Sequence, residues 1–434
     1  MHSQAQNLNK LYIFQYSFCE NFNNVATKRS TMHVTGIIAE YNPLHKGHQF
    51  HIEKTKAITG ADYVVAILSG DFVQRGIPAI MDKHTRTKMA LEAGIDLVIE
   101  LPVPYALSSG EGFAFGGISI LDQLGCVDTV SFGTESGSLE SLTTIAKVLS
   151  NETPDYKQTY QTALKNGLTH PAARVYALKE TNPDLDTSIL DGNSNNMLAL
   201  EYCKALYQLN SSIAPITIKR EGQDYLAKNA LVSDAANFED FTSATAIRNA
   251  LEKDSDSRQK FVFLDDFSSV LHYKLLSLDF EELLTYREVN DSFARKILKH
   301  RNSFVSFTQF ANLLWTKETT YARVCRTLMY ILLDMKKDSW DVHRPVPYAR
   351  ILGFRKDAAP LLSEIKKTAS IPLISKLADA DEILDKEALQ LLNLDIQAAH
   401  IYDSAFLQKS VQNKTGDSNL KPPVNELQKQ IVII

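Results

Sequence analysis

The chain has 434 residues, of which 44% are hydrophobic and 22% charged, with a formal net charge of −5. That is the composition of a globular protein large enough for two to three domains, and its slight acidity provides no global attraction to nucleic acid, although a sum hides local patches. No apolar run approaches the ~20 residues that span a bilayer, and Cys19, Cys126, Cys203 and Cys325 lack any Cys-x-x-Cys spacing. A membrane helix and a disulfide scaffold are excluded, and the thiols are expected to be reduced core residues of a cytoplasmic protein.

The first 31 residues hold a short apolar-aromatic stretch, Leu11 to Phe18, in Asn/Gln/Ser-rich surroundings. They read as a disordered extension, and Met32, just ahead of the first strand pattern, offers an alternative start. The apolar run Val34–Ala39 then leads into Glu40-Tyr41-Asn42-Pro43-Leu44-His45-Lys46-Gly47-His48. Pro43 disfavours helix at Asn42, so a strand must end there and a helix can begin only afterwards. Its first unpaired N–H groups and its dipole favour an anion, phosphate above all. Gly47 lets a nucleotide approach the backbone closely. His45 and His48, three apart, share one helical face, and two imidazoles there can donate to oxyanions that gain charge when the α-phosphate of ATP is attacked. A plain helix cap and half of a zinc site are the blander alternatives.

Further apolar runs at Tyr63–Leu68, Leu97–Leu101, Thr129–Phe132 and Ile216–Lys219 alternate with helical segments, which predicts a doubly wound, Rossmann-like parallel sheet. Ligands of such sheets bind beyond the carboxyl ends of the strands, and polar clusters fall there: Ser69 to Gly76, Gly133 to Gly137, and Lys219 to Gly222. An insertion, Leu139 to Leu190, carries Gly167-Leu168-Thr169-His170-Pro171-Ala172-Ala173-Arg174, which can wall off a second substrate. Asn193 to Asn196 precede a helix over Met197–Leu206, and Ser243 to Arg248 open another over Ile247–Glu252, with Arg248 available for phosphate.

Beyond about Leu251 the alternation gives way to a mainly α-helical pattern, with helices expected over Phe280–Lys299 and Tyr321–Lys337. Basic residues including Arg323, Arg326, Arg344, Arg350, Arg355 and Lys356 are interleaved with Tyr330, Tyr348 and Phe354. This pattern fits an RNA grip, with phosphate contacts and stacked bases, as well as it fits a solvated helical surface. From about Gln408 a polar stretch with Pro422-Pro423 reads as a flexible tail. The expected division is therefore an extension over 1–31, an ATP-binding catalytic domain over 32–252, a helical domain over 253–407, which the resemblance described next makes tRNA-binding, and a tail over 408–434.

Taken together, the Glu-Tyr-Asn-Pro-x-His-x-Gly-His junction, the Gln74-Arg75-Gly76 loop, Phe132-Gly133-x-Glu135, Asn195-Asn196 and Lys219-Arg220 resemble the bacterial tRNA(Met) cytidine acetate ligases, a family of HxGH nucleotidyltransferases. The resemblance runs from about Met32 to about Phe406. It implies an enzyme that makes acetyl-adenylate from ATP and acetate and transfers the acetyl group to the wobble cytidine of elongator tRNA(Met). It further implies ATP contacts at Ile38, Ala39, Glu40, Tyr41, Asn42, Pro43, Leu44, His45, Lys46, Gly47, His48, Gln49, Phe50 and His51, and at Gly133, Asn196, Arg220 and Glu221. His45 and His48 would be catalytic. Arg344, Arg350, Arg355 and Lys356 would touch tRNA, and Mg²⁺ would ride on the phosphates with no side-chain ligand assigned. No membrane or DNA partner is implied. A small-molecule adenylyltransferase of the same class and an inactive tRNA-binding protein are the alternatives.

Overall fold

The computed structural model describes residues 32–135, 138–190, 194–219, 243–317, 319–413 and 424–434. The expected disordered extension lies outside them. Strands β1 (Val34–Ala39), β2 (Tyr63–Ser69), β5 (Leu97–Leu101), β6 (Thr129–Thr134) and β7 (Ala214–Lys219) are parallel, each expected strand being present within two residues of its sequence-based limits. Their period-2 alternation feeds both faces of the sheet. Val65 and Ile67 join the core under α3 (Gly110–Gln123), whereas Val64, Ala66 and Leu68 join Ile52 of α1 (Lys46–Thr59) and Leu91 of α2 (Lys83–Glu92). A Cβ on Gly36 would sit 2.5 Å from Leu121, so helix α3 lies directly on β1.

Strand order places the site. With β8 (Ala349–Phe354) and β10 (Val432–Ile433) from the end of the chain, the sheet runs β10-β8-β5-β2-β1-β6-β7, so the chain steps one way from β1 through β2 to β5 and then returns to the other flank of β1 with β6. At that reversal the connecting helices diverge and leave a crevice beyond the carboxyl ends of β1 and β6. A small hairpin of β3 (Phe72–Val73) and β4 (Ile77–Pro78) overhangs it. The insertion folds as α4 (Leu139–Ser150), α5 (Pro154–Lys165) and α6 (His170–Thr181), followed by α7 (Ser194–Gln208) and, past β7, by α8 (Ala244–Lys253).

The C-terminal part departs from the expected pattern. Strand β8 (Ala349–Phe354) inserts antiparallel to β5, and β9 (Leu373–Ile374) and β10 (Val432–Ile433) pair with it in parallel. The final stretch is therefore anchored from Val424 onward, where a flexible tail was expected from 408. Arg350 hid β8 in the sequence, because a charge near the start of a mostly buried strand leaves only a short apolar run behind it. The expected helix Phe280–Lys299 is broken into Phe280–Leu284 and Asp291–His300, with Asn290 capping the second. Tyr321–Lys337 ends at Leu332 as α9 (Tyr321–Leu332), and the chain closes with α10 (Lys386–Asn413). Phe72, Val103 and Leu107 share one apolar cluster with Leu271, Phe307, Leu328 and Tyr402, so the core runs unbroken across residue 252.

Candidate active site

Helix α1 begins where β1 runs out, and its cap is built from both histidines. His45 is the N-cap residue, its Nδ1 accepting from the Gly47 N–H at 3.0 Å, while His48 Nδ1 accepts from the His45 N–H at 3.4 Å. The rings stack with centroids 3.8 Å apart, and Tyr41 meets His48 edge-on at 5.1 Å. An imidazole that accepts at Nδ1 carries its proton on Nε2, so the reciprocal cap sets both rings in the same neutral tautomer, with Nε2–H as donor. Gly47 is expected to admit a nucleotide, and its missing Cβ also makes room for His45, whose Cε1 would lie 2.9 Å from it. His51, one turn on, places Nε2 3.2 Å from the Ser131 hydroxyl on β6 and so ties α1 to the neighbouring strand.

Around this cap lies a cavity of about 1420 Å³. From the expected run, Ile38 to Asn42, His45 to His48, Phe50 and His51 line it, as does Gly133 at the end of β6. Pro43 and Leu44 turn inward, Leu44 packing with Ile37 and Ile52, and Gln49 points to solvent; none of the three faces the cavity. At the start of α7 it is Asn195 that lines the wall, with Nδ2 2.6 Å from Glu135 Oε1. Asn196 is buried behind it, accepting from the Glu135 N–H at 3.0 Å and donating to the Ile189 carbonyl at 2.8 Å. Asn196 thus fixes the loop after β6. Arg220 and Glu221 lie outside the described residues.

The polar frame of the junction is over-determined. Arg86, buried on α2, donates to the Glu40 carbonyl at 2.7 Å, to those of Ser69 and Met81 at 3.0 Å, and to that of Gly70, tying together the ends of β1 and β2. Glu40 accepts from the Gln74 N–H at 3.0 Å. Burial pushes its carboxyl above the ordinary range, against the opposing pull of that hydrogen bond and of Arg248, Arg75 and Arg86. From α8, Arg248 reaches over to the Asn42 carbonyl at 2.6 Å and to Thr245 at 3.0 Å. Arg75, Arg248, Lys46 and Lys219 make this end of the cavity cationic, as a triphosphate requires.

The cavity continues past the nucleotide-sized end. Tyr160, Thr169, His170 and Arg174 of the insertion form one wall, and Glu288, Trp315, Lys317, Arg323 and Arg326 of the helical part form another. Gly76 is what lets them meet: with φ +74, its absent Cβ would lie 2.3 Å from the Arg326 nitrogen, so α9 packs backbone to backbone on the Gln74–Gly76 loop. Sequence reading had marked that loop and Thr169 to Arg174. Glu201, Glu288 and Trp315 carried no signal, since each becomes part of the site only through contacts far along the chain.

Two readings of the basic C-terminal part are corrected, those of Arg350 and of the tyrosines. Arg350 is 4% exposed and sits inside the protein, 2.6 Å from both Glu100 Oε2 and Glu426 Oε1, so it offers nothing to a surface ligand. Tyr330 and Tyr348 are likewise buried, with hydroxyls given to the Leu107 carbonyl and to Asp395, and cannot stack on bases. Arg355 and Lys356 follow β8, which runs antiparallel to β5. They lie beside Asp96 at the amino edge of the sheet, roughly a strand length, ~17–20 Å, from the carboxyl edge. Arg344 does lie at the carboxyl edge, its carbonyl accepting from Tyr105 and its guanidinium paired with Glu387.

A parallel sheet with a histidine-capped helix at its switch point defines a nucleotidyltransferase of the HxGH class, and the family model described as HIGH Nucleotidyl Transferase matches residues 32–419. A tRNA(Met) cytidine acetate ligase of Clostridium novyi is 39% identical over 403 residues, 88% of this chain and 96% of that one. One from Acetivibrio thermocellus is 38% identical over 392 residues, 86% and 94% of the two chains. A crystal structure of Thermotoga maritima TmcAL bound with alpha-thio ATP superposes with a TM-score of 0.81 at 27% identity, covering 93% of this chain and 100% of the other. The chain belongs to the tRNA(Met) cytidine acetate ligase family of HIGH nucleotidyltransferases.

Proposed function

We propose that the cavity binds ATP with its triphosphate at the N-terminus of α1, couples the α-phosphate to acetate, and passes the acetyl group to the exocyclic amine of the wobble cytidine in elongator tRNA(Met). The reciprocal His45–His48 cap carries this reading. It presents two imidazole Nε2–H donors beside a helix N-terminus, a donor set suited to oxyanions that gain charge during transfer at phosphorus.

In the first step a carboxylate oxygen of acetate attacks the α-phosphorus, the bond to the bridging oxygen breaks, and pyrophosphate leaves with the electron pair. Acetate is already ionised at neutral pH, so no general base is needed. His45 and His48 hold the developing charge at the positive end of the α1 dipole, with Arg75, Arg248, Lys46 and Lys219 adding field at the same end. Among the described residues no three His, Cys, Asp or Glu side chains gather as a metal site. Mg²⁺ carried on the phosphates would neutralise the leaving pyrophosphate. The mixed anhydride then needs shelter from water, which the walls from α5, α6 and α9 are placed to give. Arg323 and Lys317 at the mouth, together with Arg344, are the cations we assign to tRNA phosphates.

Pyrophosphate exchange tests the first step. Labelled pyrophosphate should enter ATP in the presence of acetate and not in its absence. Exchange driven only by a different carboxylic acid would move the substrate assignment, and silence with every acid would refute the reading.

A further inference from the structure

A carboxylate stands in the second lobe of the cavity with half of its hydrogen-bonding capacity unused. Glu201, on α7, has a side chain only 7% exposed. Its Oε1 is engaged by the Arg174 guanidinium of α6, and its buried Oε2 has no hydrogen-bond partner among the described residues. The neighbouring Lys204 does not serve it, being committed to Glu111 at 2.7 Å. Nor is the space around it filled by packing. Gly110 lies opposite, and a Cβ there would be 3.7 Å from Glu201 Cγ and 3.6 Å from the Gln74 amide nitrogen, so the missing side chain keeps a gap open between the two. A buried carboxylate oxygen left unpaired calls for a donor from a ligand.

The kind of donor follows from charge. Acetate and the adenylate are anionic and would be repelled by a carboxylate, whereas an amino group bound to a pyrimidine ring is a donor that Glu accepts well. Position agrees with this. Glu201 lies five residues along α7 from Asn196, about 7–8 Å at helical rise, and so one step deeper than the nucleotide wall at Asn195. The cavity, at about 1420 Å³, also exceeds the ~300–1,000 Å³ usual for a single small ligand.

We infer that Glu201, held by Arg174, receives the exocyclic amine of a flipped-out cytosine and accepts its proton during acetyl transfer. The amine lone pair forms the bond to the acetyl carbonyl carbon, and the bond from that carbon to the AMP oxygen breaks, AMP leaving with the electron pair. The proton lost by nitrogen passes to Glu201 Oε2 and goes to water after product leaves. Extrusion of the base from its stack gives the amine access to so enclosed a group.

This inference rests on the acyl-transfer reading above, and the two half-reactions separate them. Enzyme loaded with labelled acetate and ATP is mixed with unmodified tRNA(Met) in a single turnover, alongside acetate-dependent pyrophosphate exchange. Glu201→Gln should slow transfer by ~10²-fold or more, the usual worth of a proton acceptor, while exchange falls by only a few-fold. Glu201→Asp keeps the charge beside Arg174 but withdraws the oxygen by one methylene, and should cost transfer ~10-fold or more with the fold intact. Equal losses in both half-reactions would make Glu201 a structural group and overturn the inference, as would transfer at the wild-type rate in either variant. If wild-type protein itself gives no exchange, it is the acyl-transfer reading that has failed.

Discussion

His45 and His48 show how much chemistry one spacing fixes. Three residues apart at a helix start, each ring accepts a backbone N–H of the same turn through Nδ1, which no other pair of side chains would do while leaving a second donor on the far side of the ring. We expect His48→Ala to lower acetate-dependent pyrophosphate exchange by ~10²-fold or more, as for loss of one oxyanion donor, with tRNA affinity nearly unchanged. Exchange at the wild-type rate would remove His48 from its assigned role. The pair was legible in the sequence because the whole device lies within nine residues. Gly47 was legible as a place of close approach, but the His45 ring that occupies the room of its missing Cβ was not. Glu201 was not legible at all, because Arg174 and Gly110, which define its surroundings, are contributed by other helices.

At the scale of elements, strands were easier to read than the chain's return to the sheet. The five parallel strands betray themselves by apolar runs bounded by turn residues, a pattern both faces of a buried sheet impose. Strand β8 does not, since Arg350, its second residue, belongs to a buried ionic cluster that also holds Lys83, Glu100 and Glu426. Lys83 Nζ is 2.8 Å from both Glu100 and Glu426. Removing one member strands the others, so Glu426→Gln is expected to cost about 3–5 kcal/mol in urea unfolding. A variant as stable as wild type would restore the flexible-tail reading. Burial alone would raise the Glu426 carboxyl, but Lys83, His84 and Arg350 hold it well below the usual range. A depressed carboxyl contributes stability above its unfolded value, about 4.3, and loses it as pH falls further, so the gap between wild type and variant should narrow below pH ~4.

At the scale of the molecule, the cavity belongs to no single domain. The sheet edge supplies the phosphate end, the insertion a wall, and the helical part the mouth, joined where Gly76 lets α9 rest on the Gln74 loop. That closure explains why an expected boundary at residue 252 is invisible in the core, where Phe72 packs on Phe267 and Tyr402. It also explains why composition misled in the C-terminal half: a run of Arg and Lys reads as one basic face, yet the fold sends Arg350 inward, Arg355 and Lys356 to the amino edge, and Arg323 and Arg326 to the cavity. Such a sorting needs the strand order, which local patterns do not carry. On the function proposed above, one cavity both activates acetate and delivers it to tRNA. The most direct measurement incubates the protein with ATP, labelled acetate and unmodified tRNA(Met), without acetyl-CoA, and follows label into nucleosides after digestion. Label should appear in N4-acetylcytidine and depend on ATP; label absent from tRNA while acetate-dependent exchange proceeds would rule out a shared cavity for the two steps.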